Sequence, residues 1–415
     1  MNRFAQFREC LLAKRKGTAH QPPLLSRLPA FVGARADLER ALRSLRVVLV
    51  GVGSIGMRIA EHFARLRVAE LWLVDPRNGY KPESVLTHPI NRVIDQPKAS
   101  YTARRCKKLS PSTRVFAHVG HVQDLWLDTF ADAHLCLMAT DNLAAEVEFG
   151  RRCLSLGKRL VQAALHGETL TAQIRVFAND DGHGPCPACG FGATEWRQLS
   201  DQVQFSCEGR TSGHSAPRIT GPPTRSTSSL CSLAADLALN QSLRLVLRLG
   251  EPVEDSILEY CGFTNQIVTS HLERNSGCRC DHTRFTMNRA PRPLKGYFYN
   301  KLVSDFALVP GHESLSLTVG GTEWIEQGLC RCAEPRVVRR FIPSGQGHAG
   351  RCARCQSAIR PQPFYTSSAV SAPMLGKAVS TPFHLLGVRE CPWVLLRTAD
   401  RAFLVQDPHR TMPVP

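Results

Sequence analysis

No apolar run in this 415-residue chain approaches the length of a bilayer. The longest, such as residues 45–52, are interrupted by Arg or Gly, whereas a membrane helix needs about 20 apolar residues in succession. Nor do residues 1–16 read as a signal peptide, because they mix Arg, Glu and Lys into their apolar positions. Positive charge is abundant but not clustered: the formal net charge of +17 is spread along the chain. A nucleic-acid binder would gather that charge, with aromatics between, so the expectation is a generally basic surface that attracts nucleotides or acidic proteins. There is no internal repeat. These absences point to a cytoplasmic protein with no membrane and no nucleic acid among its partners.

What is present is a 43% hydrophobic chain, long enough for one large α/β domain and a smaller appended one. Residues 1–26 are polar, basic and Pro-punctuated, which predicts a flexible arm. Helical spacing over residues 34–45 feeds a strand at 46–50, then a glycine-rich turn and a helix to residue 65. Further strands are predicted at 70–74, 113–117 and 134–138, with helices at 98–109, from 143 to 156 and over 230–249. Alternation of this kind implies a Rossmann-like, mainly parallel sheet with helices on both faces. Residues 208–228, rich in Ser, Thr, Pro, Gly and Arg, read as a loop. After residue 284 the pattern changes to short strands, Pro and Cys pairs, which predicts a small Cys-rich C-terminal domain.

The turn Gly51-Val52-Gly53-Ser54-Ile55-Gly56 follows the first strand. Its glycines allow a tight turn, close approach of backbone to phosphate, and helix-to-strand packing, and the helix N-terminus adds partial positive charge. Asp75 ends the next strand about 20 residues past Gly56, where a carboxylate accepts hydrogen bonds from ribose hydroxyls. These residues leave NAD and ATP equally eligible.

The following segments decide between the two. Gln96-Pro97-Lys98-Ala99, Leu109-Ser110-Pro111, Ala139-Thr140-Asp141-Asn142, the run 157–161, Gly167, Pro185-Cys186-Pro187-Ala188-Cys189, Gly250-Glu251-Pro252 and Asn275-Ser276-Gly277-Cys278 stand in order. In these motifs the chain resembles the MoeB/ThiF family and the adenylation domain of ubiquitin-activating enzymes, over residues 27–283. The resemblance implies an ATP-dependent adenylyltransferase that activates the C-terminal carboxylate of a ubiquitin-like protein as an acyl-adenylate. Activating a carboxylate at an α-phosphate requires cations and donors rather than covalent acid–base groups. By resemblance, Gly51, Gly53, Ser54, Gly56, Asp75 and Asn142 bind the nucleotide, Lys98 neutralises phosphate charge, and Asp141 holds Mg²⁺. Arg27 falls where the family carries an arginine that reaches into the partner subunit, which implies a homodimer. One departure stands out: the family's Ser-Asn-Leu-Asn-Arg-Gln loop is replaced by residues 83–88, ending in His88, with Asn91-Arg92 as the alternative contact. That departure motivates a second reading, a degenerate scaffold that binds nucleotide without catalysis; a third has the enzyme adenylating a peptide or tRNA carboxylate.

The sixteen Cys include the close pairs Cys186/Cys189, Cys278/Cys280, Cys330/Cys332 and Cys352/Cys355. In a reducing compartment such pairs hold metal more often than they form disulfides. The first two pairs match the family's structural Zn²⁺ site, with Cys280 one residue too close to Cys278 and His282 as its alternative. A second site from the last two pairs, with His348 as a substitute ligand, is as well supported as four free thiols. Cys207 stands where some family members carry a thioester-forming cysteine, near Arg210, which favours the thiolate. Transfer to such a Cys would bring in a conjugating enzyme as a further partner; an incidental Cys is the equal alternative.

Overall fold

The structure, a computed structural model, describes residues 8–9, 35–79, 96–125, 127–179, 184–202, 226–250, 254–307, 315–332, 335–362 and 365–408. The expectations placed on Arg27, His88, Asn91-Arg92, Cys207 and Arg210, and most of those on the 1–26 arm and the 208–228 loop, lie outside these residues.

Among the described residues the chain builds a nine-stranded sheet and two smaller ones. The first sheet and its helices run β1 (Arg8–Glu9), α1 (Arg35–Ser44), β2 (Arg46–Val50), α2 (Ser54–Arg65), β3 (Glu70–Val74), α3 (Lys98–Leu109) and β4 (Arg114–His118). They continue with β5 (Leu135–Met138), α4 (Leu143–Ser155), β6 (Leu160–His166), β7 (Thr171–Phe177), α5 (Ala193–Gln202), α6 (Ser228–Leu247), β8 (Ser256–Cys261) and β9 (Gln266–His271). The strand order is β1-β4-β3-β2-β5-β6-β7-β8-β9. Strands β4, β3, β2, β5 and β6 are parallel, and β7 to β9 extend them as an antiparallel meander. The α/β fold is therefore as the alternating pattern implied. The meander was not legible, because nothing in an isolated strand states the direction of its neighbour.

Two-residue periodicity divides the parallel strands between two cores. Val47, Leu49, Leu71, Leu73, Leu135 and Leu137 share one with Met57, Ile59 and Phe63 of α2, Ala103 of α3 and Ala235 and Ala238 of α6. Val48, Val50, Trp72, Val74, Cys136 and Met138 face the other side, in one core with Phe149 and Cys153 of α4. Helix α6 is long and apolar enough to cross a membrane by length and composition. Here it packs against α2, β6 and β7, and Leu230, Ala234, Ala235, Ala238 and Leu245 are buried: it is a core helix.

The rest of the chain forms β10 (Phe285–Arg289), α7 (Tyr299–Leu302), β11 (Ser316–Val319), β12 (Thr322–Leu329), β13 (Pro335–Pro343) and β14 (Arg360–Pro361). After these come β15 (Thr366–Ser367), β16 (Val370–Ser371), α8 (Ala372–Leu375), β17 (Trp393–Arg397) and β18 (Ala402–Gln406). One sheet has the order β10-β18-β17-β11-β16; the other has β12 at its centre, paired with β13, β14 and β15. Phe285, Trp393, Ala402 and Leu404 complete the core beneath the second face of the large sheet. That face is thus covered by α4 and by a β-sheet, where the sequence pattern predicted helices.

Candidate active site and cysteine clusters

The carboxyl ends of β2, β3 and β5 converge on the glycine turn. Gly51 adopts φ +86°, and a Cβ there would collide with the Ala139 carbonyl; one on Gly56 would collide with the Gly51 carbonyl. Both positions therefore require glycine, the first for its conformation and both for close backbone approach. Gly53 caps α2 without a side-chain hydrogen bond, and the first turn holds no acid. An anion arriving at this helix end meets no competing carboxylate from the turn.

Asp75 is 5% exposed and does structural work in this turn. Its Oδ2 accepts from the Val52 N–H at 2.8 Å and its Oδ1 from the Arg77 N–H at 2.8 Å. One carboxylate thus ties the glycine turn to the exit of β3, and each oxygen keeps acceptor capacity for a further donor. The exit is in turn tied to α3: the Lys98 N–H donates to the Arg77 carbonyl at 3.1 Å, and the Gly79 N–H to the Gln96 carbonyl at 2.8 Å. Lys98 accordingly opens α3 directly against the segment that follows Asp75.

At the end of β5, Asn142 caps α4, its Oδ1 accepting from the Ala145 N–H at 2.9 Å. The side chain of Asp141 is left 57% exposed and pairs with Arg77, 3.3 Å from Nη2 to Oδ1. Arg77 was not singled out from sequence; a cation two residues past the acid that ends β3 was the available signal. Glu146 is a second addition. It lies in the first turn of α4, is 8% exposed, and accepts from Gln162 Nε2 at 3.0 Å. Burial, with a smaller contribution from the Asp141 charge, pushes its carboxyl up to about 7 against the hydrogen bond from Gln162 and the charge of Arg175.

The first cysteine cluster lies under α4. Gly150 lets the helix approach the Pro187 ring, and Cys186, Ala188 and Cys189 pack with Leu154, Phe191 and Trp196. The ligand atoms of Cys186, Cys189, Cys278 and His282 all lie within 4.8 Å of one another. Cys186 Sγ is 3.8 Å from both Cys278 Sγ and Cys189 Sγ, and His282 Nε2 is 3.6 Å from Cys189 Sγ. The fourth member of the group is His282, the alternative named for Cys280: Cys280 lies beside Cys186, while the longer imidazole of His282 reaches the other three donors from two residues further on. Contact with Cys186 and burial push the Cys189 thiol up to about 11. Three sulfurs and a buried imidazole nitrogen are a donor set that suits a tetrahedral cation. A second group, Cys330, Cys332, Cys352 and Cys355, meets the same distance limit.

The model of the ThiF family matches residues 25–280. The chain belongs to the ThiF family. Its relatives include the molybdopterin-synthase adenylyltransferase of Escherichia coli (strain K12), 24% identical over 244 residues, which span 58% of this chain and 89% of that protein. The adenylyltransferase and sulfurtransferase uba4 of Aspergillus niger is 33% identical over 172 residues, 39% of this chain and 34% of that protein. The sulfur carrier protein ThiS adenylyltransferase of E. coli is 28% identical over 135 residues, 32% of this chain and 53% of that protein. Among solved structures, E. coli MccB with ATP is a distant likeness, with a TM-score of 0.44 at 14% identity over 60% of this chain and 70% of that one. The chain is a ThiF-family adenylyltransferase, and ATP is the family's substrate.

Proposed function

We propose that this adenylyltransferase activates the C-terminal carboxylate of a small ubiquitin-like or sulfur-carrier-type protein as an acyl-adenylate, releasing pyrophosphate. The single observation that carries the reading is the convergence of the glycine turn, the Asp75–Arg77 exit of β3, the Lys98 end of α3 and Asp141 at the carboxyl ends of β2, β3 and β5. Open α/β sheets bind ligands at the carboxyl ends of their strands. In this reading the N-terminus of α2 and Lys98 meet the phosphates, and the remaining lone pairs of Asp75 accept from ribose hydroxyls. Arg77 supplies the cation that the 83–88 loop lacks relative to the family. Placing cations and N–H donors where charge accumulates at the α-phosphate is the main catalytic contribution such a site makes.

Asp141, exposed and unburdened by capping, would hold Mg²⁺; when bound, the ion neutralises phosphate oxygens. Arg77 engages Oδ1 of Asp141, and Oδ2 would be the oxygen offered to such an ion. Cys186, Cys189, Cys278 and His282 would hold Zn²⁺ with a structural role, fastening the 275–282 segment to the 186–190 turn. Action on a protein tail is supported by what the names of the relatives say of them: two act on molybdopterin synthase or the sulfur carrier ThiS.

The test is exchange of labelled pyrophosphate into ATP with Mg²⁺ and a panel of small proteins ending in Gly. Exchange that depends on one of them, and falls at least 100-fold in Lys98→Ala and in Asp141→Ala, supports the reading. Wild-type protein that binds ATP but exchanges with no tail in the panel would instead favour the scaffold reading.

A further inference from the structure

We propose that Cys330, Cys332, Cys352 and Cys355 form a tetrathiolate zinc site in the C-terminal part of the chain, a second metal centre separate from the cluster under α4. Cys330 and Cys332 lie in the turn from β12 to β13, and Cys352 and Cys355 in the turn that precedes β14. Because β12 pairs with both β13 and β14, the sheet brings the two turns to the same end. All four Sγ atoms lie within 4.8 Å of one another, and all four cysteines are free. A tetrahedron with Zn–S bonds of about 2.3 Å sets its sulfurs about 3.8 Å apart. The spacing of the quartet is thus close to that of a four-sulfur tetrahedron around one ion.

Hydrogen-bond donors lie around three of the four sulfurs. The N–H groups of Arg354 and Cys355 donate to Cys352 Sγ. Cys355 Sγ receives the N–H of Ser357 and lies 2.9 Å from its Oγ. The Arg336 side chain donates to Cys332. The turn that aims these donors is closed by the Cys352 N–H to the Ser357 carbonyl at 2.9 Å, with Gln356 at φ +55°. The Arg331 N–H donates to Ser357 Oγ at 3.2 Å and so joins the two turns. Donors converging on sulfur stabilise the charge of a metal-bound thiolate, and Arg331, Arg336, Arg351 and Arg354 offset the double negative charge of a Zn(Cys)₄ centre.

Among the described residues, the apolar cluster nearest the two turns is small, Ile325, Ile342 and Ala349 with Val338 partly buried, so a metal held between the turns would add a cross-link where apolar packing is thin.

The experiment is zinc release and quantification on the full chain, purified under reducing conditions without added metal. Wild type is expected to carry two zinc ions per chain, and Cys352→Ser with Cys355→Ser to carry one. A wild-type count of one that falls to zero in this variant would uphold the proposal and sink the zinc site under α4. A count unchanged by the variant would overturn the proposal. Because the variant can misfold locally, Co²⁺ exchange into wild type gives an independent measurement. The C-terminal site should add the thiolate-to-cobalt charge-transfer band of a four-sulfur tetrahedron to the signal of the mixed sulfur–imidazole site. Absence of that component, or mass and alkylation data showing the four cysteines as two disulfides, would also overturn it.

Discussion

At the scale of single residues, the candidate site is built from groups that serve the backbone and the ligand together. Asp75 is the clearest case, since the carboxylate proposed for ribose also clamps the glycine turn to the exit of β3 through two N–H bonds. Glu146 is of a different kind, a buried acid electrostatically linked to Asp141. Its folded-state pKa, raised to about 7, exceeds the unfolded value of 4.5. The native state therefore holds the proton more tightly, and this group's contribution is most favourable below about pH 4.5. It is lost as pH rises through 7, a change on the order of 3 kcal/mol. Glu146→Gln removes that titration while keeping a partner for Gln162. The expected outcome is a melting temperature that falls less between pH 5 and pH 8 than that of wild type, measured by calorimetry at constant ionic strength. Parallel curves for the two proteins would mean that Glu146 does not titrate in this range.

At the scale of elements, α2 carries the demand most directly. A methyl group on Gly56 would strike the carbonyl of Gly51, a backbone atom that cannot swing aside, so Gly56→Ala must push the helix away from the strand. No other protein atom lies within 4 Å of a Cβ placed on Gly53, so Gly53→Ala leaves the turn in place and acts on the phosphate that this position approaches. Gly56→Ala is expected to lower the melting temperature and to weaken ATP binding at least 10-fold, read by calorimetry, and Gly53→Ala to weaken ATP binding with the melting temperature nearly unchanged. A Gly53→Ala protein that binds ATP as the wild type does would show that the phosphates do not approach this position. The position of this element was legible: strand, glycine turn and helix each follow from local pattern. The cap of α4 was not, because Asp141 and Asn142 are both good N-cap residues, and only the three-dimensional path shows Asn142 taking the role.

At the scale of the whole molecule, the two parts of the chain share a core. Leu404 and Trp393 lie in one buried cluster with Val48, Val50, Trp72 and Phe149, so the C-terminal sheet contributes to the stability of the nucleotide-binding sheet. Leu404→Ala, at a fully buried position, should cost about 2–5 kcal/mol and lower the temperature at which adenylation activity is lost. Thermal unfolding followed by calorimetry and by residual exchange activity checks this. Two resolved transitions, with the substitution moving only the one that leaves activity intact, would show that the sheets unfold independently.

The sequence by itself determined strands β2 to β5 and helices α1 to α4 and α6, and it singled out the glycine turn, Asp75, Lys98, Asp141 and the cysteine pairs, because periodicity, turn chemistry and ligand spacing act over short stretches of chain. It also carried the family through motifs in fixed order. Tertiary structure alone decided that a β-sheet covers the second face of the large sheet and that Arg77 meets Asp141. It alone buried Glu146 against Gln162 and set His282, rather than Cys280, among the four mutually close donors of the first cluster. Each of these depends on segments distant in sequence meeting at a few ångströms, and a side chain's reach and burial are properties of that meeting rather than of the residues that flank it.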